Sequence, residues 1–319
     1  MPEALVVEPR IAVLVAGVEY VTADILHITL AAPDGVPLPK WEPGSHIEVA
    51  LTTDLIRQYS LCGDADSPNW CIAVHRESES RGGSAWIHDN IHVGQTLTVS
   101  EPRARFPLVD APHYLFVAGG IGITPILAMI DACDRRKASW RLVYTGRSES
   151  TMAFTETLRR YDPNVSIHPT DAQGRIDVAG LVSEVPSGTA VYCCGPSTLV
   201  DAVESEGAAH PEVTVHVERF RPRDGALSGT DTEFDVILDE TGVTVRVGCG
   251  QSILDALESA GIHVPTSCRE GTCGTCETVV LEGIPDHRDS YLTTAEQESN
   301  EVMMVCCSRS TEDVLVLDL

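Results

Sequence analysis

The sequence predicts a multidomain chain: an antiparallel β-barrel or sandwich first, an α/β parallel sheet second and a small α+β domain last. Three observations carry this expectation. The first hundred residues run in short alternating strands between Pro/Gly turns. Near residue 112 the rhythm changes to apolar strand, Gly-rich turn and helix. From about residue 225 the charge and the cysteine content change together.

In the first segment IAVLVAGVEYV, ILHITLAA, SHIEVAL and TLTVS are separated by turns such as APDGVP and WEPG. Several short strands at such spacing indicate a barrel or sandwich. The second segment reads HYLFVAGG, ITPILAMIDACDRR, WRLVYTG, a helical TMAFTETLRRYD, NVSIHP, AVYCCGP and STLVDAVESEG. Strands alternating with helices indicate βαβ units and a parallel sheet. RPRDGALSGTDTE (221–233) is polar, contains Gly and has no hydrophobic period, so it reads as a linker unable to order itself. FDVILDETGVTVRV then alternates like two strands around a turn at Thr241-Gly242. The expected divisions are 1–108, 109–222, a linker at 223–233, and 234–319.

The 319 residues carry a net charge of −25, which excludes a nucleic-acid binder that works by neutralising phosphates. The start, MPEALVVEPR, lacks a basic segment followed by an apolar one, and no apolar run approaches 18 residues. The expectation is a soluble cytoplasmic chain with no membrane partner. Eleven cysteines then call for an explanation other than a secreted disulfide framework. From residue 225 onward 18 Asp plus Glu face four Arg and no Lys, a net −14, and six of the cysteines lie there, at 249, 268, 273, 276, 306 and 307.

C-REGT-C-GT-C sets Cys268, Cys273 and Cys276 in a C-x4-C-x2-C array, with Cys306 after a further 29 residues. This is the plant-type [2Fe–2S] spacing. Soft thiolates hold iron, and a tight loop lets three converge from one side. Gly271, Thr272, Gly274 and Thr275 are small enough for backbone amides to approach the sulfurs. A structural zinc site and buried unligated cysteines are the competing readings, although zinc favours paired C-x2-C arms and one such pair is present. Ser252 with Asp255 reads as a capping box before LDALESA, and Gly261 as the helix end. Residues 233–319 resemble a plant-type ferredoxin domain, which implies a β-grasp fold. Cys307 adjoins Cys306; alternation and the resemblance both favour Cys306 as the fourth ligand.

Upstream, Arg57, Gln58, Tyr59 and Ser60 stand in RQYSL, and Arg81, Gly82, Gly83 and Ser84 open a short helix. Backbone amides at a Gly-rich helix start, joined by Arg, make an anion site suited to a phosphate. Together the two motifs resemble the flavin domain of the ferredoxin-NADP reductase superfamily. The resemblance implies that Tyr59 packs on the isoalloxazine, Ser60 bonds near its N5, Arg57 and Arg81 neutralise the phosphate, and Gly82, Gly83 and Ser84 cradle it; Gln58, Ala73 and Val74 complete the flavin set.

GGIGITP (119–125) follows a strand and opens a helix, the context for a pyrophosphate at a helix N-terminus, although it departs from G-x-G-x-x-G. Gly119, Gly120 and Gly122 would allow that approach. In the same superfamily the C-G-P of Cys194, Gly195 and Pro196 lies beside the nicotinamide, Thr124 faces the flavin, and Phe220 of ERF covers it. Cys194, Ser60 and Thr124 are the expected catalytic residues. The order flavin, nicotinamide, ferredoxin resembles the phthalate dioxygenase reductase family over nearly the whole chain. That resemblance implies FMN, since no adenine-binding insertion follows RGGS, and NADH, aided by TDAQGRID (170–177). Arg147 could instead attract the 2′-phosphate of NADPH.

A hydride carries two electrons and a [2Fe–2S] cluster takes one, so the implied function is a two-to-one electron transformer that positions its cofactors and assigns no general base. His27, His46, His75, His88 and His92 show no ligand spacing. The implied partner is a Rieske non-haem iron oxygenase acting on an aromatic carboxylate, with a cytochrome P450 as runner-up, docking at the acidic domain. A different class of reading is a non-enzymatic iron-sulfur carrier or sensor; GGIGITP and CCGP in strand contexts count against it.

Overall fold

The computed structural model describes residues 10–53, 55–78, 81–229 and 231–319. Residues 1–9, which include most of the segment read for a leader, lie outside the described residues. Two compact units result, one ending at Glu218 and one running from Arg219 onward. Among the described residues no helix is long and apolar enough to cross a membrane.

The first unit holds two sheets. The first is built from β1 (Arg10–Thr22), β2 (Ile25–Ala31), β3 (Ser45–Thr52), β4 (Leu55–Ser60), β5 (Trp70–His75), β6 (Thr96–Ser100) and β7 (Arg103–Ala104), with α1 (Gly83–Asn90) between β5 and β6. The order is β4-β3-β6-β1-β2-β5, all antiparallel, and β7 pairs with β3. Past the end of β4, Leu61 bridges Ile72 of β5, and the Cys62 amide donates to the Cys71 carbonyl at 2.9 Å, so the two edge strands meet. Alternation puts Val13, Val15, Ile28, Ile47, Val49 and Val74 into one core under this sheet.

The second sheet contains β8 (His113–Gly119), β9 (Ser139–Gly146), β10 (Val165–Pro169), β11 (Thr189–Cys194) and β12 (Thr214–Glu218) in the parallel order β10-β9-β8-β11-β12. Its helices are α2 (Ile123–Arg136), α3 (Thr155–Leu158), α4 (Thr170–Gln173), α5 (Val178–Ser183) and α6 (Ser197–Ala209). The strand order reverses between β8 and β11, and the turns leaving both strands carry the Gly motifs. TMAFTETLRRYD is not one helix. Phe154 adopts φ +63°, a left-handed conformation that a helix does not continue through, so four residues of α3 stand between short 3₁₀ turns. The two sheets share one unit because Ala128 of α2 enters the first sheet's core and Ala153 packs with Ile25, Cys62 and Ala73.

In the second unit β13 (Phe234–Leu238), β14 (Thr244–Val247), β15 (Glu277–Glu282), β17 (Val302–Met304) and β19 (Val314–Leu317) form a mixed sheet, with β16 (Pro285–Asp286) paired to β18 (Arg309–Ser310). The order is β14-β13-β19-β15-β17, and β13 and β19 run parallel. Its helices are α7 (Ile253–Ser259) and α8 (Thr294–Ser299). The Ser252 hydroxyl accepts the Asp255 amide at 3.0 Å, one half of the expected capping box. At the other end Gly261, at φ +78°, lets the Ile262 amide reach the Leu257 carbonyl at 2.9 Å and its own amide reach Glu258, the double bond of a Schellman end.

Candidate functional sites

RQYSL and RGGS lie 20 residues apart in sequence but meet in space. The Arg57 guanidinium donates to the Arg81 carbonyl at 2.7 Å and to the Ile56 carbonyl at 2.8 Å. A Cβ on Gly83 would stand 2.5 Å from Arg57 Cγ, so glycine is what lets the arginine lie against the first turn of α1. Gly82 precedes the helix at φ +94°, and the Ser84 hydroxyl accepts the Glu77 amide at 3.2 Å. An arginine laid across a Gly-Gly helix start matches anion chemistry. Tyr59 is half-buried and its phenol is pushed far above the ordinary range by burial, so it stays neutral. Gln58 pairs in register with Glu48. Ala73 and Val74 point to opposite faces: Ala73 joins Ile25, Cys62 and Ala153, whereas Val74 enters the core and its carbonyl is bonded by His88 Nε2 at 2.9 Å.

The second cluster forms at the carboxyl ends of β8, β11 and β12. Parallel register places Cys194 opposite Ala118 and Glu218, so GGIG, CCGP and ERF start from one line. A Cβ on Gly122 would lie 2.3 Å from the Cys194 carbonyl oxygen, and one on Gly195 2.9 Å from Gly119 Cα; one on Gly119 would strike Pro196 Cδ at 2.6 Å. These glycines are spent on packing the two turns against each other. Gly120, at φ +54° with open space where its Cβ would be, is the one that leaves room. The Thr124 hydroxyl is buried and donates back to the Ile121 carbonyl at 3.0 Å.

Glu218 is the residue that sequence reading passed over, two positions before the Phe220 it singled out. It is half-buried; burial pushes its carboxyl up to about 8, against the opposing hydrogen bond from Ser60. The Cys194 Sγ lies 4.0 Å from Glu218 Oε2, and burial raises that thiol well above its ordinary range. Cys194 is therefore a neutral thiol and not a nucleophile. Ser60 of the first sheet and Cys194 of the second meet on one carboxyl group. Arg147, exposed after β9, receives on its carbonyl the Asp171 amide at 2.9 Å, which brings TDAQGRID beside it. Phe220 is 39 % exposed in the second unit.

In that second unit the four sulfurs associate. Cys268 is the common acceptor: the Cys273 thiol first, then that of Cys306 and the Thr272 amide, hold it far below the usual thiol range. Cys276 is lowered chiefly by Cys306. The amides of Glu270 and Thr272 point at Cys268 Sγ at 3.3 and 3.4 Å, and that of Thr275 at Cys273 Sγ at 3.5 Å. Gly271 and Gly274, both at positive φ, have a further purpose: a Cβ on the first would lie 2.8 Å from Asp289 Cα, and on the second 2.5 Å from the Tyr291 ring. The Asp289 carboxylate in turn accepts the Leu292 and Tyr291 amides at 2.7 and 3.1 Å, so 289–292 forms the wall behind the loop. No spacing in the sequence marks that wall. The Cys307 thiol points to the Met304 carbonyl at 3.8 Å, beside Gly271. Among the described residues no three His, Cys, Asp or Glu side chains converge as ligands of a single metal ion. A [2Fe–2S] cluster is two irons wide and asks for four thiolates in two pairs.

Residues 236–311 match the 2Fe-2S iron-sulfur cluster binding domain family, and residues 112–193 match the family described as Adenylate-forming reductase 03009, C-terminal domain. The vanillate O-demethylase oxidoreductase of a Pseudomonas species is 38 % identical over 97 % of this chain and 100 % of its own length. An intact type IV self-sufficient cytochrome P450 monooxygenase superposes with TM-score 0.87 and 44 % identity over 97 % of this chain, which spans 41 % of the length of that protein. The structure of phthalate dioxygenase reductase, described as modular for electron transfer from pyridine nucleotides to [2Fe–2S], superposes with TM-score 0.72 at 36 % identity over 97 % of this chain and 98 % of its own. With identities of this size running the length of both partners, and with flavin-type, nucleotide-type and cysteine-loop motifs in one order, the chain belongs to the phthalate dioxygenase reductase family.

Proposed function

We propose that the chain is the reductase component of an oxygenase system, passing electrons from NADH through FMN and a [2Fe–2S] cluster to a terminal oxygenase. The observation that carries this is the meeting of Ser60, Cys194 and Glu218, which joins the flavin-type sheet to the nucleotide-type sheet at the switch point where α/β sheets take ligands. We divide the chain into a flavin domain to about residue 108 whose curled sheet approximates a barrel, a nucleotide domain to about 222, a linker at 223–233 and a β-grasp-like domain from 234.

The residues fit the groups. Arg57, Arg81, Gly82, Gly83 and Ser84 would hold the flavin phosphate, and Tyr59, Gln58, Ala73 and Thr124 would line the ring. Val74 gives its side chain to the core instead. Gly120 leaves room for the nucleotide, and Gly119, Gly122, Gly195 and Pro196 shape the turns beneath it. Cys268, Cys273, Cys276 and Cys306 would hold the cluster. When bound, these groups supply two-electron hydride chemistry at the flavin and one-electron chemistry at the cluster, two single transfers per NADH. Cys194 excludes water beside the nicotinamide as a neutral thiol, and Ser60 holds its proton on Glu218. No side chain needs to act as general base. Arg147 with Asp171 beside it sets the nucleotide choice: the carboxylate repels a 2′-phosphate, which favours NADH. The chain works in the cytoplasm, where thiols stay reduced.

The partner is a Rieske-type oxygenase or demethylase, steered to the acidic second unit by a positive patch of its own. A second reading, a cytochrome P450 partner, is favoured by the TM-score of 0.87 to a P450-linked chain. The visible spectrum of the purified protein before and after NADH tests the proposal. Flavin bands over broad cluster absorption, both bleaching, are expected; a colourless protein, or one indifferent to NADH, overturns it.

A further inference from the structure

Asp289 has no share in the cysteine array, yet its carboxylate lies directly behind it. The side chain is 0 % exposed. Oδ2 accepts the Leu292 amide at 2.7 Å and the Tyr291 amide at 3.1 Å; Oδ1 accepts from Gln297 Nε2 of α8 at 3.4 Å and lies 3.6 Å from His287 Nδ1. Among the described residues no Arg or Lys pairs with it, and the neighbouring Arg288 donates to Asp286 and Asp231. Burial pulls the carboxyl up, but His287 and the two amides outweigh that and hold it below its ordinary range, so the group is ionised.

A buried carboxylate is costly, and one held mainly by amide dipoles keeps a field that a bound cation would cancel. What it organises is the floor of the cysteine loop. With one oxygen accepting the amides two and three residues on, the chain at 289–292 turns tightly, and the Ser290 amide meets the Gly271 carbonyl at 2.8 Å. A Cβ on Gly271 would stand 2.9 Å from Asp289 Cβ, and one on Gly274 2.5 Å from the Tyr291 ring. Gly271 lies between Cys268 and Cys273, and Gly274 between Cys273 and Cys276. Both spacers of the C-x4-C-x2-C loop therefore rest on the turn that this carboxylate fixes.

We infer that Asp289 is the positioning residue of the cysteine loop and that its fixed negative charge lowers the reduction potential of the cluster held there. This rests on the reading of the loop as a [2Fe–2S] site. The step concerned is the gain of one electron by the oxidised cluster, delivered in that reading by the reduced flavin; no bond is made or broken and no proton moves. Local charge is among the quantities that set such a potential, and a carboxylate behind the loop disfavours the added electron.

The experiment uses the full chain at pH 8. Spectroelectrochemical titration with mediator dyes reads the cluster potential, and iron release to EDTA reads how firmly the loop is held; neither needs turnover. Asp289→Asn keeps an oxygen for the amides and loses the charge, so cluster content stays as in the wild type while the one-electron equilibrium shifts about tenfold toward the reduced form, about 59 mV. Asp289→Ala loses the acceptor as well and releases iron about tenfold faster. Gln297→Leu keeps the charge but strips one donor from it, so the potential moves the other way, by about twofold. Opposite signs are the mark of a charge, since a loosened loop would move both variants alike. The inference is overturned if Asp289→Asn titrates at the wild-type potential, if it and Gln297→Leu shift in the same direction, or if Asp289→Ala holds its iron as the wild type does. Should Asp289→Asn take up no iron, the sign of the Gln297→Leu shift decides. A wild type without iron and sulfide removes the [2Fe–2S] reading and the inference with it, whereas a cluster with an unmoved potential removes the inference alone.

Discussion

The cysteine loop and the Ser60–Cys194–Glu218 cluster, the two sites proposed above, are assembled from opposite ends of the sequence scale. Three of the four sulfurs come from nine consecutive residues, and the loop's own amides at Glu270, Thr272 and Thr275 point to them. The upstream cluster draws on β4, β11 and β12, which come together when one sheet packs on another. Glycine differs accordingly. Gly271 and Gly274 take positive φ so that a loop can turn, whereas Gly122 and Gly195 remove side chains so that two separate turns can touch. A local site depends on its own chain geometry, and a non-local one on the packing of everything between.

The largest effect should come from breaking the local site. Cys268→Ser is expected to remove the cluster bands and to lower reduction of the terminal acceptor by more than the about 10- to 100-fold typical of outer-sphere changes, while ferricyanide reduction from the flavin persists. Cys307→Ser in the same assay should retain the cluster bands. Loss of ferricyanide activity along with the cluster would mean that the two sites are not separable.

Next comes the non-local site. In Gly122→Ala the new methyl would meet the Cys194 carbonyl at 2.3 Å, backbone against backbone, so neither side yields easily. We expect a loss of about 1–3 kcal/mol in stability and a weakened NADH step, with the cluster spectrum intact. Calorimetry resolving the two units checks this; an unchanged first unit would remove the assigned role of the glycine.

Glu218 sharpens the contrast through pH. Its folded pKa of about 8 lies above the ordinary 4.5 of a free Glu, so the folded state binds its proton more tightly. The stability this confers is complete below about pH 4.5 and is lost as pH rises through about 8. Thermal unfolding of the first unit between pH 6 and 9 should fall with pH in the wild type and fall less in Glu218→Gln. Equal slopes would mean the carboxyl is ionised throughout.

The smallest expected effect lies on the surface. If the net −14 beyond residue 225 steers a basic partner, acceptor reduction should slow a few-fold between about 50 and 500 mM salt, where screening is nearly complete. A flat profile would leave the charge with solubility alone.

The C-x4-C-x2-C loop, α7 with its Ser252 cap and Gly261 stop, and the βαβ rhythm after residue 112 were legible because each rests on neighbours in sequence, where spacing and rotamer or dihedral preference act directly. The break at Phe154 was not, since an apolar-periodic stretch gives no warning that one residue turns left-handed. Nor were Glu218, which looks like any acidic strand end until register sets it beside Cys194, or Asp289, which needs Gly271 brought against it. The contacts of RPRDGALSGTDTE were hidden for the same reason: it has no hydrophobic period, and the partners of its Asp231 and Thr232, Arg288 and Arg309, lie more than fifty residues downstream.

By itself the sequence determined the three kinds of sheet, the four thiols that can share a cluster and the two Gly-rich turns, because period, spacing and the stereochemistry of glycine are properties of short stretches of chain. Tertiary structure alone decided which carboxyl Cys194 and Ser60 share, which glycines pack turns and which one leaves room, and which arginines Asp231 and Thr232 meet. Those outcomes depend on desolvation and on contacts between segments tens of residues apart, which exist only once the sheets have packed.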